Sequence, residues 1–441
     1  MKKVLIIAHE FAPIGGGRVM RALKFAKYLP EFGWAPVVLS AQPEDCFYSH
    51  EWLLEPELLR EVIGKIRLYQ IPSPLERLAK RLRRALQRPE RQADQSLSGL
   101  SMQVSYFNGG WRHCLAGLRA PQDLSALWNP YAYAAAVRLI RQENITAVLT
   151  TSPPHLLQVV GYWIKRRARL PWIADFRDGW RGNPLFQAGS PARQRLDNRL
   201  EHMVVNSADA KLVVTEHLLE SFQRTYPSQA GSFYLLHNGF DPADFPYSPP
   251  HTPDEELSFV HIGSLSDYRN PLPLLRAFQE LIRRGCLPPE KVRITLIGKS
   301  FHTLDGQFPG LRVETIPPIP HAEAIRIMQR AGILLLITGI QEGEAAFTSK
   351  VFEYLAARRP VLALIPPHGE LAQFLASYPL GLVAAPDDER QIQAAILKAI
   401  QVAETAAPQP GFDDLSLQQF DRRQQTHTLA GLLDRVSGLK G

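Results

Sequence analysis

Cysteine is scarce in this 441-residue chain: Cys46, Cys114 and Cys286 are widely spaced and odd in number. That excludes a disulfide framework and a zinc knuckle, and points to a reducing, cytoplasmic compartment. No run of about 18 apolar residues occurs, so no membrane-spanning helix is expected. A GxGxxG loop is also missing, and the second predicted strand ends at Ser40 rather than at an acidic residue. Both absences speak against a dinucleotide-dependent dehydrogenase. What is present is a globular composition, with 45% hydrophobic and 21% charged residues and a length suited to two or three domains. The opening Met1-Lys-Lys-Val-Leu-Ile-Ile-Ala8 resembles the start of a signal peptide. Its apolar run is short and no small-residue cleavage site follows, so it reads as a first β-strand.

Strand-like apolar runs alternate with helical patterns from end to end, the pattern of an α/β protein with parallel sheets. In the first half, strands are expected at Lys3–Ala8, Ala35–Ser40, Thr146–Thr151, Trp172–Asp175, Ala210–Val214 and Phe233–His237, with a helix at Arg18–Leu29. The proline-rich Phe245-Pro-Tyr-Ser-Pro-Pro-His-Thr-Pro253 then reads as a linker. The pattern restarts with strand Ser258–Ile262 and helix Pro271–Arg284. Further strands are expected at Arg293–Ile297, Leu311–Thr315, Ile333–Thr338, Val361–Ile365 and Gly381–Ala384. The division is a first α/β domain over 1–245, a linker over 246–256, a second α/β domain over 257–412, and a C-terminal helix over 413–441.

The net charge of +7 is concentrated between Arg60 and Ala120, where twelve Lys/Arg face four Asp/Glu. No nucleic-acid-binding module accompanies this stretch, so nucleic acid is not the expected partner. Within it, Leu75, Leu78, Leu82 and Leu86 fall at helical spacing, with Arg77, Lys80, Arg81, Arg83 and Arg84 mostly on the other faces. A helix over Leu75–Leu86 could lie on an anionic membrane surface or pack its leucines on the domain.

Two segments carry chemistry. Phe259-Val-His-Ile-Gly-Ser264 reads as a strand ending in a Gly263-Ser264 turn, where the backbone can approach an anion closely. Arg269 follows just beyond and could grip phosphate oxygens in bidentate fashion, or be a solvated loop arginine. The segment Thr348-Ser-Lys-Val-Phe-Glu-Tyr-Leu-Ala-Ala-Arg-Arg-Pro360 reads as a helix opening near Thr348 or Ser349 and ending before the proline. Lys350 then lies in the first turn, against the helix dipole, where an anion would offset the conflict. Glu353, three residues on, could accept hydrogen bonds from a ribose diol or pair with Lys350.

The succession His261-Ile-Gly-Ser264, Arg269-Asn-Pro271 and Lys350-Val-Phe-Glu-Tyr-Leu-Ala-Ala-Arg-Arg-Pro360 resembles the donor-binding half of family 4 of the retaining glycosyltransferases. Gly15-Gly-Gly17 resembles that family's N-terminal glycine loop, and Leu236-His-Asn-Gly-Phe-Asp241 its signature before the linker. The stretch from Trp128 through Thr151-Ser-Pro-Pro-His155 to Ala174-Asp-Phe-Arg-Asp-Gly-Trp180 is similar to a bacterial branch of those enzymes. The resemblance implies a GT-B fold: two Rossmann-like domains with parallel sheets facing a central cleft, and a final helix, around Leu415–Val436, crossing back onto the first domain. It implies a nucleoside-diphosphate sugar donor, with Gly16, Gly17, Gly263, Ser264, Arg269, Thr348, Ser349, Lys350 and Glu353 holding it. No cofactor or metal is implied, and the chain has no Asp-x-Asp run after a strand. It further implies a carbohydrate or lipid-linked acceptor, surface polysaccharide or glycolipid synthesis, and a peripheral place at the inner face of the plasma membrane.

The family's Glu-x7-Glu is incomplete: counting back from Glu353 gives Ala345, with Glu342 and Glu344 out of register. On the acceptor side, Arg177 and Asp178 follow a strand, where α/β folds place ligand groups. The Asp-Phe-Arg-Asp run fits a structural ion-pair turn equally well. His155, at another strand end, could orient the acceptor or a donor phosphate, or be a packed histidine. Arg269, Lys350, Asp178 and His155 are thus the candidate catalytic residues. A nucleotide-sugar epimerase of the same fold and a catalytically silent binding protein remain as alternatives.

Overall fold

The computed structural model describes residues 1–46, 53–75, 77–79, 124–181, 190–246, 257–267, 269–299, 304, 307–339, 347–378, 381–405 and 415–438. The first sheet has seven strands: β1 (Lys2–Ile7), β2 (Trp34–Ala41), β3 (Arg67–Ile71), β4 (Ala147–Ser152), β5 (Trp172–Phe176), β6 (Ala210–Val213) and β7 (Phe233–Leu235). All pair in parallel, in the order β3-β2-β1-β4-β5-β6-β7. Helices α1 (Gly17–Tyr28), α2 (Glu57–Arg60), α3 (Asn129–Gln142), α4 (Gln158–Ala168), α5 (Pro191–Ser207) and α6 (Glu216–Thr225) connect them. The central strands are buried on both faces; Val4 to Ile7 of β1 are fully buried, which is why they read as an unbroken apolar run.

The second sheet has six parallel strands: β8 (Leu257–Ile262), β9 (Val292–Ile297), β10 (Arg312–Ile316), β11 (Ile333–Ile337), β12 (Val361–Leu364) and β13 (Gly381–Ala384). Their order is β10-β9-β8-β11-β12-β13. Helices α7 (Leu272–Arg283), α8 (His321–Arg330), α9 (Lys350–Ala356), α10 (Glu370–Ala376) and α11 (Glu389–Thr405) belong to this half. After α12 (Leu415–Gln418), α13 (Arg422–Val436) lies against the first half. Asp434 bonds Lys2 and accepts from Trp34 Nε1 at 3.0 Å, and Arg423 pairs with Glu31 at 2.6 Å. The chain crosses itself where Phe240 N–H donates to the Phe420 carbonyl and Arg422 N–H to that of Phe240.

One strand escapes the sequence pattern. β3 is an edge strand with no fully buried residue, and it lies inside the basic stretch, so its weak alternation is hidden by charge. Residues 247–256, most of the expected linker, lie outside the described residues, as do residue 76 and residues 80–86 of the Leu75–Leu86 segment. Of the part described, Leu75 and Leu78 are exposed, while Arg77 is bonded to Asp45 at 2.6 and 2.9 Å. Among the described residues no helix is long and apolar enough to cross a membrane.

Candidate active site in the interdomain cleft

In each sheet the strand order reverses beside the first strand of its half, between β1 and β4 and between β8 and β11. Such switch points leave a crevice at the strand ends. Here both open on one cavity of about 430 Å³, a volume suited to a small organic ligand.

The wall from the second half is built around Gly263. Its φ of +149° suits glycine, and a Cβ there would fall 1.6 Å from Lys350 Nζ. Only a residue without a side chain lets the ammonium lie over the end of β8. Tyr354 pins α9 beneath the turn: its hydroxyl accepts from Ile262 N–H at 3.0 Å and donates to the Leu335 carbonyl at 3.3 Å. His261 Nδ1 donates to the same carbonyl at 3.0 Å. Burial, then the charge of Lys350, pushes the His261 imidazole down to about 3, so it stays neutral beside the ammonium. Ser264, Arg269, Thr348, Ser349 and Lys350 all line the cavity.

Glu353 lines it too, and a partner from outside its own helix holds it. His321 Nε2 lies 3.1 Å from Glu353 Oε1. Burial opposes the charged form of each group, yet their hydrogen bond and mutual charge outweigh it. His321 is raised and Glu353 lowered from their ordinary ranges.

The wall from the first half brings Gly16 and Gly17 to the cavity. A Cβ at Gly17 would stand 3.5 Å from Ser349 Oγ, so the two walls meet here. The four residues of Asp-Phe-Arg-Asp separate into four environments. Asp175 is fully buried and receives Arg21 through three contacts of 2.9 to 3.1 Å, plus Thr151 Oγ1 at 2.7 Å. Phe176 belongs to the core. Arg177 lines the cavity, but each of its side-chain nitrogens donates to a backbone carbonyl: Nε to Ser152 at 3.1 Å, Nη2 to Pro153 at 3.0 Å and Nη1 to Arg18. Of its two readings, these bonds give Arg177 a structural part: it staples the β4 loop to α1 while still lining the cavity. Asp178 remains open to the cavity. Desolvation within the cleft pushes the carboxyl up to about 6, against the pull of the Arg177 and Arg18 guanidinium groups, although the residue keeps an exposed surface.

His155 takes the packed alternative of its two readings. It is buried, stacked on Trp180 with ring centroids 5.6 Å apart, and is not among the cavity residues. Burial pushes it down to about 3 and keeps it neutral, so it supports the β4 loop rather than facing a ligand. Residues 340–346, with Glu342, Glu344 and Ala345, lie outside the described residues.

Several cavity residues had no signal in the sequence, and Glu55 and His321 stand out among them. Each is a single polar residue beside a proline, in Leu54-Glu55-Pro56 and Pro320-His321, and neither belongs to a periodic pattern. Among the described residues, Glu61, Asp241 and Asp244 could together hold an ion. The Lys24 ammonium already lies 2.7 to 2.9 Å from all three, and none of them lines the cavity.

The fold matches those of several solved structures. A glycosyltransferase from Rickettsia africae superposes with a TM-score of 0.61 at 11% identity, covering 99% of this chain and 98% of the other. Anabaena Alr3699/HepE, solved with UDP and glucose, gives 0.59 at 14% identity, covering 99% and 100%. The apo form of the lipopolysaccharide outer core galactosyltransferase WaaB gives 0.54 at 11%, covering 98% and 99%. These likenesses establish the GT-B fold. No curated protein matches by sequence. The glycosyl transferase 4-like domain, however, matches residues 16–239, about half of the chain, from the glycine loop to the segment that meets Phe420, and the protein is a GT-B glycosyltransferase belonging to that family.

Proposed function

We propose that this glycosyltransferase moves a sugar from a nucleoside-diphosphate donor to an acceptor hydroxyl with retention at the anomeric carbon and without a metal ion. The observation that carries the donor reading is the Lys350 ammonium lying over Gly263, with Arg269 on the same wall and Gly16 and Gly17 facing it. In transfer, the bond between the anomeric carbon and the diphosphate oxygen breaks and one to the acceptor oxygen forms. The acceptor proton passes to the departing phosphate. Negative charge grows on that phosphate, and preorganised cations stabilise it without reorganisation. Ser264, Thr348 and Ser349 are the hydroxyl donors of this grip, and Glu353 accepts from the ribose diol.

On the opposite wall, Asp178 as a carboxylate accepts from the acceptor hydroxyl and orients it. The UDP bound by Anabaena HepE favours a uridine nucleotide as the first donor to test. A carbohydrate or lipid-linked acceptor, in surface polysaccharide or glycolipid synthesis, rests on the family resemblance. Peripheral attachment at the inner face of the plasma membrane is supported by the exposed Leu75 and Leu78.

A thermal-shift series over uridine, guanosine, adenosine and thymidine diphosphate sugars tests the donor reading. A true donor at one hundred times its dissociation constant adds about 2.7 kcal/mol of stability. No shift with any of them removes the reading. Appearance of an epimerised nucleotide sugar without acceptor would replace transfer by epimerisation.

A further inference from the structure

The segment Leu53-Leu54-Glu55 of the first half is bound edge to edge with the glycine loop. Gly15 N–H donates to the Leu53 carbonyl at 2.8 Å, Glu55 N–H donates to that of Pro13 at 2.7 Å, and Ile14 bridges Leu54. This brings the Glu55 carboxylate into the space where Gly15 lacks a side chain; a Cβ on Gly15 would fall 2.0 Å from Oε1. The Gly16 N–H also donates to this carboxylate. Across the cleft, Oε2 accepts from the N–H of His321 at 2.7 Å. That N–H is the first of α8, one of the terminal donors a helix cannot satisfy itself. Pro320 before it has no N–H to compete. The His321 ring then continues the connection to Glu353 Oε1 at 3.1 Å.

Three hydrogen-bonded steps therefore join the glycine loop of one half to the carboxylate assigned to the ribose in the other. We propose that Glu55 and His321 are positioning residues that orient Glu353 for a ribose diol when the first half closes on the second. The proposal rests on the nucleotide-sugar reading above. Glu353 stands three residues from Lys350 on one helical face, within reach of an ion pair. Held by His321 at Oε1, it presents its second oxygen in one direction. A carboxylate from the far side of the cleft, bonded to the N–H of His321, fixes where that ring sits. Glu55 thus ties the ribose contact to closure.

The test compares binding of UDP, ADP and GDP with their 2′-deoxy forms by calorimetry on the full chain. The tightest-binding base should show a preference for ribose of about tenfold, the size of one hydrogen bond to a charged group. In His321→Ala and Glu55→Ala that preference should fall below about threefold while affinity for the deoxy form changes little. His321→Gln, which places an N–H donor near the position of Nε2, should restore most of it. A folding check by circular dichroism accompanies each variant. Full ribose preference in folded His321→Ala overturns the proposal, and full preference in folded Glu55→Ala overturns the cross-cleft part. Wild-type protein that binds a diphosphate with no ribose preference also overturns it, leaving the phosphate grip intact. Binding of none of the six nucleotides, nor of thymidine diphosphate, overturns the donor reading and the proposal with it.

Discussion

Arg21 and Arg177 on one wall of the cleft, and Lys350 and Arg269 on the other, are four cations near one cavity, yet they meet different surroundings. Arg21 is 1% exposed and locked onto the fully buried Asp175, and the guanidinium of Arg177 is shared among three backbone carbonyls. Lys350 and Arg269 are half-buried at the cavity surface. The first wall uses its cations to hold loops in place. The second sets them along the cavity, within reach of a bound anion. The difference teaches that cationic side chains near a site divide by where they lie, since a buried charge is spent on the scaffold and a cavity-lining charge can also act on a ligand.

Removing Arg21 should therefore act on the fold. Arg21→Ala leaves Asp175 buried and uncompensated, and a loss of about 3–5 kcal/mol is expected in denaturant unfolding of the first half. A loss under about 1 kcal/mol would show that the pair is not structural. Lys350→Ala should act on catalysis instead. Turnover should fall by about 100- to 1000-fold, the effect of deleting one donor to a developing negative charge, with unfolding almost unchanged. Near-normal turnover, or a collapse of stability like that of Arg21→Ala, would erase the contrast between the walls.

The smallest effect concerns Asp178 on the first wall. With its carboxyl pushed up to about 6, Asp178 is ionised above that pH and neutral below it. Transfer that needs the carboxylate should rise as pH increases through about 6, and Asp178→Asn should be slower and lack that limb. A wild-type profile flat from pH 5 to 7.5 would remove Asp178 from the reaction.

Most elements were legible because buried parallel strands are written as local apolar runs. β13 begins and ends where the sequence places it, and β1, β2 and β8 shift by a residue or two at their ends. β3 was not legible, since an edge strand needs no continuous apolar face. In the site, Lys350 could be singled out because its conflict with the helix dipole is a local property. Arg177 and His155 could not be judged the same way. What decides them is three carbonyls, two at the end of β4 and one in α1, in one case and the face of Trp180 in the other.

By itself the sequence determined two α/β halves, the glycine turns and the family, because apolar period, turn chemistry and short motifs are local. Only the tertiary structure decided which charged residues face the cavity and which serve the scaffold. It also brought Glu55 and His321, 266 positions apart, into one hydrogen bond. The physical reason is that a charged side chain is defined by its partner, and across a cleft that partner comes from a distant part of the chain.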